Sequence, residues 1–132
     1  MAVDNIKLAF DPQFVGTMTS PSGTIKLGDQ EGGMAPYHLL FGAVGSCFYA
    51  TFLSIASKKR LTFTKAELEI SGEKRTEVPP TLNHVKIELT VYNPSNEEGL
   101  IKSSELGAQF CSIHETLSKV AKMELVVLFK YE

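Results

Sequence analysis

The sequence predicts a single α+β domain, residues 1–132, in which antiparallel sheet packs around a long apolar helix. Several segments alternate apolar and polar side chains, as strands with one buried face do. Residues 35–57 carry no charged side chain and are numerous enough for a long helix. With 132 residues, 43% of them apolar, the chain can form one hydrophobic core but not two.

The first strands are predicted near the N-terminus. Ile6, Leu8 and Phe10 alternate with polar or small residues, and a second alternation runs from Phe14 to Met18. A Ser-Pro-Ser-Gly turn at residues 20–23 precedes a third extended segment, residues 24–27. These features predict an antiparallel meander of three strands.

The long helix is predicted to begin at Pro36, because proline suits the first helical position, and to end at the basic residues 58–60. A helix that is apolar all round is either central to a core or spans a membrane. Polar residues such as His38 and Ser54, and the alternating strands elsewhere, favour the core. Six or so one-sided strands can hardly cover such a helix alone, so we expect a second copy of the chain to complete its cover.

Two strands follow, residues 65–70 and 84–91, on either side of a charged loop at residues 73–80. Glu97 and Glu98 open a helix that runs to Cys111. The pattern from Ser112 to Glu115 is a capping box, which predicts Ser112 as the N-cap of a further helix with Ile113, Leu117 and Val120 on its inner face. Residues 123–129 form the last strand, and the predicted order is βββ-α-ββ-αα-β.

The charge, the N-terminal residues and the cysteine content of the chain limit the classes of function that it can have. Thirteen Lys plus Arg against fifteen Asp plus Glu give a net charge of −2, which argues against nucleic-acid binding. The first ten residues lack the features of a secretory signal, so we expect a cytoplasmic protein. In that reducing compartment two cysteines are more often buried, metal-bound or redox-active than joined in a permanent disulfide.

Cys47 lies among small residues of the long helix, and Cys111 lies at a helix junction. Free cysteine is often only a small buried hydrophobe. However, the positive end of a helix lowers the pKa of a nearby thiol, which makes Cys111 a candidate for chemistry. If the two helices pack together, the thiols could act as an attacking and a resolving pair, although spacing alone does not bring them within disulfide distance.

Two segments carry a family resemblance: Ala-Pro-Tyr-His-Leu-Leu-Phe-Gly-Ala-Val-Gly-Ser-Cys-Phe at residues 35–48, and Ala-Gln-Phe-Cys-Ser-Ile-His-Glu-Thr-Leu at residues 108–117. Together with the order of elements, they resemble the OsmC/organic hydroperoxide resistance family. The resemblance implies an intertwined homodimer with two central helices wrapped by sheets. It also implies a thiol peroxidase in which Cys47 attacks an organic hydroperoxide, Cys111 forms a disulfide with it, and a dithiol reduces the pair.

The chain departs from that family's pattern at two places. The well-characterised peroxidase branches carry Glu directly after the proline, where this chain has Tyr37, and an Arg in the N-terminal strands. The only arginines here are Arg60 and Arg75, outside those strands. Lys7 or Lys26 could substitute for that Arg, but only as a point charge. An alternative is therefore a catalytically weak dimer that binds an apolar or electrophilic small molecule near Cys47.

Other residues carry weaker signals. We expect Phe41, Phe48 and Tyr37 to contact substrate, because aromatic side chains near Cys47 would make an apolar pocket. His38 is out of helical phase with Cys47 and is not expected to act as its base. His84 is expected to face solvent, and His114 is expected to be only a residue of the capping turn. No closely spaced pair of metal ligands occurs, so neither a metal nor another cofactor is expected. A monomeric domain with two inert cysteines remains a further alternative.

Overall fold

The computed structural model describes all 132 residues. The chain forms two compact units, Met1–Leu40 and Phe41–Glu132. The order of elements is the predicted one, with two three-stranded sheets and three helices. Both candidate cysteines lie in the second unit, so its packing determines the geometry of their site.

The first unit is an antiparallel meander of β1 (Lys7–Phe10), β2 (Val15–Ser20) and β3 (Gly23–Gly28). Ser20 pairs with Gly23 across the predicted turn, where the Ser22 N–H donates to Ser20 Oγ at 3.1 Å. An apolar cavity of about 270 Å³ lies in this unit. Its walls are Leu8, Phe10, Phe14, Leu27, Met34, Pro36 and Leu39.

Helix α1 (Pro36–Lys58) begins at the predicted proline and runs from the first unit into the second. In the second unit it buries residues at four-residue spacing, which places them on one face: Val44, Phe48, Phe52 and Ala56. A Cβ at Gly45 would stand 3.2 Å from the side chain of Ile70 on the sheet. By length and composition α1 could also cross a membrane, with a mean hydropathy of 1.8.

The sheet of the second unit has the order β4-β5-β6, from β4 (Lys65–Lys74), β5 (Leu82–Tyr92) and β6 (Lys122–Lys130). The central strand β5 buries alternate residues, among them Val85, Ile87, Leu89 and Val91. β4 pairs with β5 antiparallel, but β6 pairs with β5 parallel. The prediction of purely antiparallel sheet is therefore wrong for β6, because the helices between β5 and β6 carry the chain back to the same end of the sheet.

Helices α2 (Glu97–Phe110) and α3 (Ser112–Ser118) meet at Cys111. The Asn96 side chain caps α2 by accepting from the Gly99 N–H. The predicted cap of α3 is wrong by one residue. Cys111 has an extended backbone and its sulfur accepts from the His114 N–H at 3.4 Å, so Cys111 is itself the N-cap. Glu115 pairs with Lys119 at 2.7 Å instead of closing a capping box.

Val120 also departs from its prediction. Its side chain is 62% exposed, because α3 ends at Ser118 and Val120 lies in the turn that leads to β6. Leu117, on the last turn of α3, is buried as predicted. The predicted loop at residues 73–80 is also shorter than expected, because β4 continues to Lys74.

Candidate active site

The site is built where the middle of α1 meets the junction of α2 and α3. Cys47 lies next to the buried face of α1 and is partly exposed, whereas Cys111 is 1% exposed. The two thiols are hydrogen-bonded to each other and neither forms a disulfide. The packing of the helices thus brings together the two cysteines that lie sixty-four residues apart in the sequence.

The segment after α2 supplies several hydrogen bonds to the Cys47 sulfur. Burial raises the pKa of Cys47, but hydrogen bonds outweigh burial and hold its pKa below the usual value. The donors are the Cys111 thiol, the backbone N–H of Ile113, and the hydroxyl and backbone N–H of Ser112. All of them come from three consecutive residues, 111–113, at the beginning of α3.

Cys111 is shifted in the opposite direction. Burial raises its pKa, and so does the hydrogen bond with Cys47, since Cys111 must keep its proton to donate it. The backbone N–H groups of His114 and Ile113 oppose this rise only in part. The pair is therefore unequal: Cys47 is the thiol that ionises first, and Cys111 is the buried proton donor.

His114 acts on the site through its backbone. Its N–H donates to Cys111 Sγ, while burial lowers the pKa of its imidazole, with partial compensation from Glu115. A neutral imidazole at pH 7 adds no positive charge beside the cysteines. The other two histidines have different partners. His38 Nδ1 accepts from the Ala35 N–H at 3.0 Å, and His84 pairs with Glu124 at 2.9 Å.

The predicted substrate residues differ in their exposure. Phe48 is completely buried, with its ring centroid 6.2 Å from that of Phe52, which favours a packing role over the predicted contact with substrate. Phe41 is half-buried, and its ring tip lies 2.9 Å from the position of a Cβ at Gly72. Tyr37, in the first turn of α1, is also half-buried. For Tyr37, Phe41 and Phe48 the contact with substrate stays a prediction.

Ser112 and Ile113 donate hydrogen bonds to Cys47, a role that the sequence did not predict for them. A signal was present, because the first backbone N–H groups of a helix have no partner within the helix. The capping-box pattern predicts that the Ser112 hydroxyl bonds to the helix backbone, so it gives no indication that this hydroxyl donates to Cys47. No group of three or more His, Cys, Asp or Glu side chains is placed to hold a metal ion.

The chain is similar to known proteins in sequence and in fold. The profile of the family described as OsmC-like protein matches residues 28–126, a range that contains both cysteines. No match was found among the curated proteins.

Several solved structures share the fold. A hypothetical protein from Aquifex aeolicus VF5 superposes with a TM-score of 0.90 at 21% identity, over 100% of this chain and 99% of that chain. The OsmC-like protein from Mycoplasma pneumoniae has a TM-score of 0.85 at 19% identity, over 97% of each chain. The organic hydroperoxide resistance protein OhrB of Bacillus subtilis has a TM-score of 0.70 at 14% identity, over 96% of this chain and 98% of that chain. Since the profile matches three quarters of the sequence and the fold agrees along nearly the whole chain, the protein belongs to the OsmC-like family.

Proposed function

We propose that the protein is a cytoplasmic thiol peroxidase that reduces organic hydroperoxides through Cys47 and Cys111 and so defends the cell against oxidative stress. The observation that carries the proposal is the unequal, hydrogen-bonded cysteine pair between α1 and the α2–α3 junction. The fold is also that of proteins named for organic hydroperoxide resistance, including one from Bacillus subtilis.

In the proposed reaction, the Cys47 thiolate attacks the distal oxygen of the hydroperoxide, the O–O bond breaks, and Cys47 becomes a sulfenic acid. The leaving alkoxide takes up a proton and departs as an alcohol. The Cys111 sulfur then attacks the Cys47 sulfur, so that a disulfide forms and water leaves. An external dithiol reduces this disulfide by exchange and is itself oxidised to a disulfide.

The hydrogen-bond donors around Cys47 can stabilise its thiolate in place of the arginine that this chain lacks in its N-terminal strands. A thiolate needs positive charge or hydrogen-bond donors to persist at neutral pH. Here residues 111–113 supply a thiol, a hydroxyl and two backbone N–H groups to the Cys47 sulfur. Backbone donors at the start of a helix carry partial positive charge, so they can stabilise the thiolate in place of a guanidinium.

The proposed class of substrate is supported by the partial exposure of Cys47 and by the aromatic residues of α1. Phe41 and Tyr37 are the candidates for contact with an alkyl or aryl group, since both keep exposed surface. Phe48 would support that surface from the core. An apolar surround favours a bulky organic hydroperoxide over hydrogen peroxide.

The decisive experiment measures consumption of cumene hydroperoxide by the full chain with dithiothreitol as reductant. Wild type is expected to turn over, and Cys47→Ser is expected to reduce the rate to that of dithiothreitol alone. Without dithiothreitol, Cys111→Ser should still consume one equivalent of hydroperoxide and leave a sulfenic acid on Cys47. Equal rates for wild type and Cys47→Ser would refute the peroxidase.

The second candidate is a catalytically weak dimer that binds an apolar or electrophilic small molecule near Cys47. The observation that favours it is the presence of Tyr37 and the absence of an N-terminal arginine. Alkylation by iodoacetamide distinguishes the two functions. The peroxidase predicts that Cys47 reacts rapidly near pH 6, whereas the binding protein predicts a rate near that of an ordinary thiol.

We also propose that the working unit is a homodimer. Much of the α1 surface is exposed in the single chain, including Leu53 at 39%. Beside it, an open groove of about 410 Å³ is lined by Ala50, Thr51, Ser54, Ile55, Lys58 and Phe110. A second copy would remove this apolar surface from water, which is the main favourable term in the association of subunits.

A further inference from the structure

Gly107 lies one helical turn before Cys111, where α2 contacts α1. Its carbonyl accepts from the Cys111 N–H at 3.0 Å. A Cβ at position 107 would stand 3.1 Å from the backbone nitrogen, the Cα and the Cβ of Phe52. These atoms cannot rotate away as the end of a long side chain can. The close approach of α2 to α1 therefore depends on glycine at position 107.

This contact is close to both thiols along the helices. Phe52 follows Cys47 by five residues on α1, a rise of about 7.5 Å, and Cys111 follows Gly107 by four residues, a rise of about 6 Å. Helices are stiff over such short lengths. A displacement of α2 at Gly107 is therefore transmitted to Cys111.

The donors to Cys47 move with the same end of α2. The Cys111 thiol, the Ser112 hydroxyl and N–H, and the Ile113 N–H all belong to the residues directly after α2. Hydrogen bonds weaken steeply with distance and angle, so a small displacement of this segment affects every one of them together.

We propose that Gly107 is a positioning residue: it sets the separation between Cys47 and the segment 111–113 by letting α2 lie against the α1 backbone at Phe52. This inference rests on the function proposed above for the cysteine pair. A methyl group at position 107 forces the neighbouring backbone to move by a few tenths of an ångström. The thiols then separate, and the donors of residues 111–113 no longer converge on Cys47.

The test compares Gly107→Ala with Gly99→Ala in the full chain. Gly99 lies on the same helix, but a Cβ there would meet side-chain atoms alone: the Cδ atoms of Leu61, at 3.0 and 3.1 Å, and Cγ of Asn96, at 3.5 Å. Both substitutions replace glycine by alanine within α2 and raise its helix propensity, but only the methyl group at position 107 meets the α1 backbone. Circular dichroism and the midpoint of thermal unfolding establish that each variant is folded.

Two measurements are made without any peroxide. The first is the rate of Cys47 alkylation by iodoacetamide from pH 5 to 10, read by mass spectrometry. The second is the Cys47–Cys111 disulfide equilibrium in glutathione buffers, in which two protein thiols reduce one oxidised glutathione to two thiols. We expect Gly107→Ala to slow alkylation at pH 7 about threefold to tenfold, because fewer donors hold the thiolate. We also expect the equilibrium to shift toward the dithiol by a similar factor, because separated sulfurs can form only a strained disulfide. Gly99→Ala should stay within about twofold of wild type.

The outcomes are distinct. A folded Gly107→Ala variant with the wild-type alkylation profile and equilibrium overturns the proposal. If that variant does not fold, the double variant with Gly99→Ala, whose helix is stabilised, replaces it. Failure of both to fold makes Gly107 a purely structural residue and also overturns the proposal. If wild type forms no disulfide at all, the proposed peroxidase fails, while the alkylation profile still tests the role of Gly107.

Discussion

At the scale of residues, the pKa values of Cys47 and Cys111 differ because the two thiols play different parts in their hydrogen bonds. A sulfur that receives several hydrogen bonds is stabilised as thiolate, and the thiol that donates one of those bonds must remain protonated. Cys47 is the receiver and Cys111 is the donor. The same hydrogen bond therefore lowers the pKa of Cys47 and raises the pKa of Cys111, so that Cys47 ionises at lower pH than Cys111.

The Ser112 hydroxyl provides a direct test of this arrangement. Ser112→Ala removes one donor from Cys47 but leaves the backbone donors in place, so the pKa of Cys47 should rise. Alkylation at pH 7 should slow by about threefold, since the loss of one hydrogen bond to a charged group is only partly compensated by water. The measurement is the iodoacetamide rate as a function of pH.

The matched control for that variant is Ser118→Ala. Its hydroxyl donates to the Glu115 carbonyl at 2.6 Å within the same helix, away from either thiol. It should leave the alkylation profile of Cys47 unchanged. If Ser112→Ala and Ser118→Ala had the same profile, Ser112 would have no role at Cys47.

The two cysteines could be singled out from the sequence, but the hydrogen bonds around them could not. The family resemblance selects Cys47 and Cys111 by position. The pattern from Ser112 to Glu115 matches a capping box by residue type, yet Cys111 takes the cap because its backbone is extended and its sulfur accepts a hydrogen bond. A sequence pattern does not contain the backbone angle that decides between these two neighbouring residues.

At the scale of elements, helix α2 is held by a narrow buried face. Its first turn carries Glu97 and Glu98, which suit the positive end of the helix. Leu100 is completely buried, whereas its neighbour Ile101 is 39% exposed. This difference matters for the site because Cys111 follows directly from the end of α2.

Leu100→Ala should therefore destabilise the protein by about 2–5 kcal/mol, as is usual when a buried leucine leaves a cavity. Ile101→Ala, on the same helix, should cost less than about 1 kcal/mol, because much of its side chain already faces water. Urea unfolding of each variant measures the free energy. Equal costs at the two positions would contradict the packing of α2.

The elements differ in how well they could be predicted. Alternation identifies the strands and the uncharged stretch identifies α1, because burial of one face or of a whole helix leaves a periodic trace. The sequence of β6 carries no periodic pattern that would identify its pairing with β5 as parallel. This pairing depends on α2 and α3 returning the chain to the same end of the sheet, which is a property of tertiary packing.

At the scale of the whole molecule, α1 remains incompletely covered by its own chain. The buried face is formed by large residues such as Phe48 and Phe52. The exposed positions carry mostly small residues: Gly42, Ser46, Ala50, Ser54 and Ser57. Small residues on a helix allow the backbone of another helix to approach closely. This surface is suited to a second copy of the same helix and is the basis of the proposed homodimer.

Sedimentation equilibrium should therefore give wild type a mass of twice the 14.5 kDa of one chain. Ala50→Glu places a carboxylate on the exposed face of α1, where burial against a second copy would desolvate it without a partner, so this variant should sediment as a monomer. Asn83→Glu adds the same charge at an exposed position of β5 and should remain dimeric. A wild-type mass of 14.5 kDa would refute the dimer while leaving the chemistry of the Cys47–Cys111 pair, which lies within one chain, to be tested on its own.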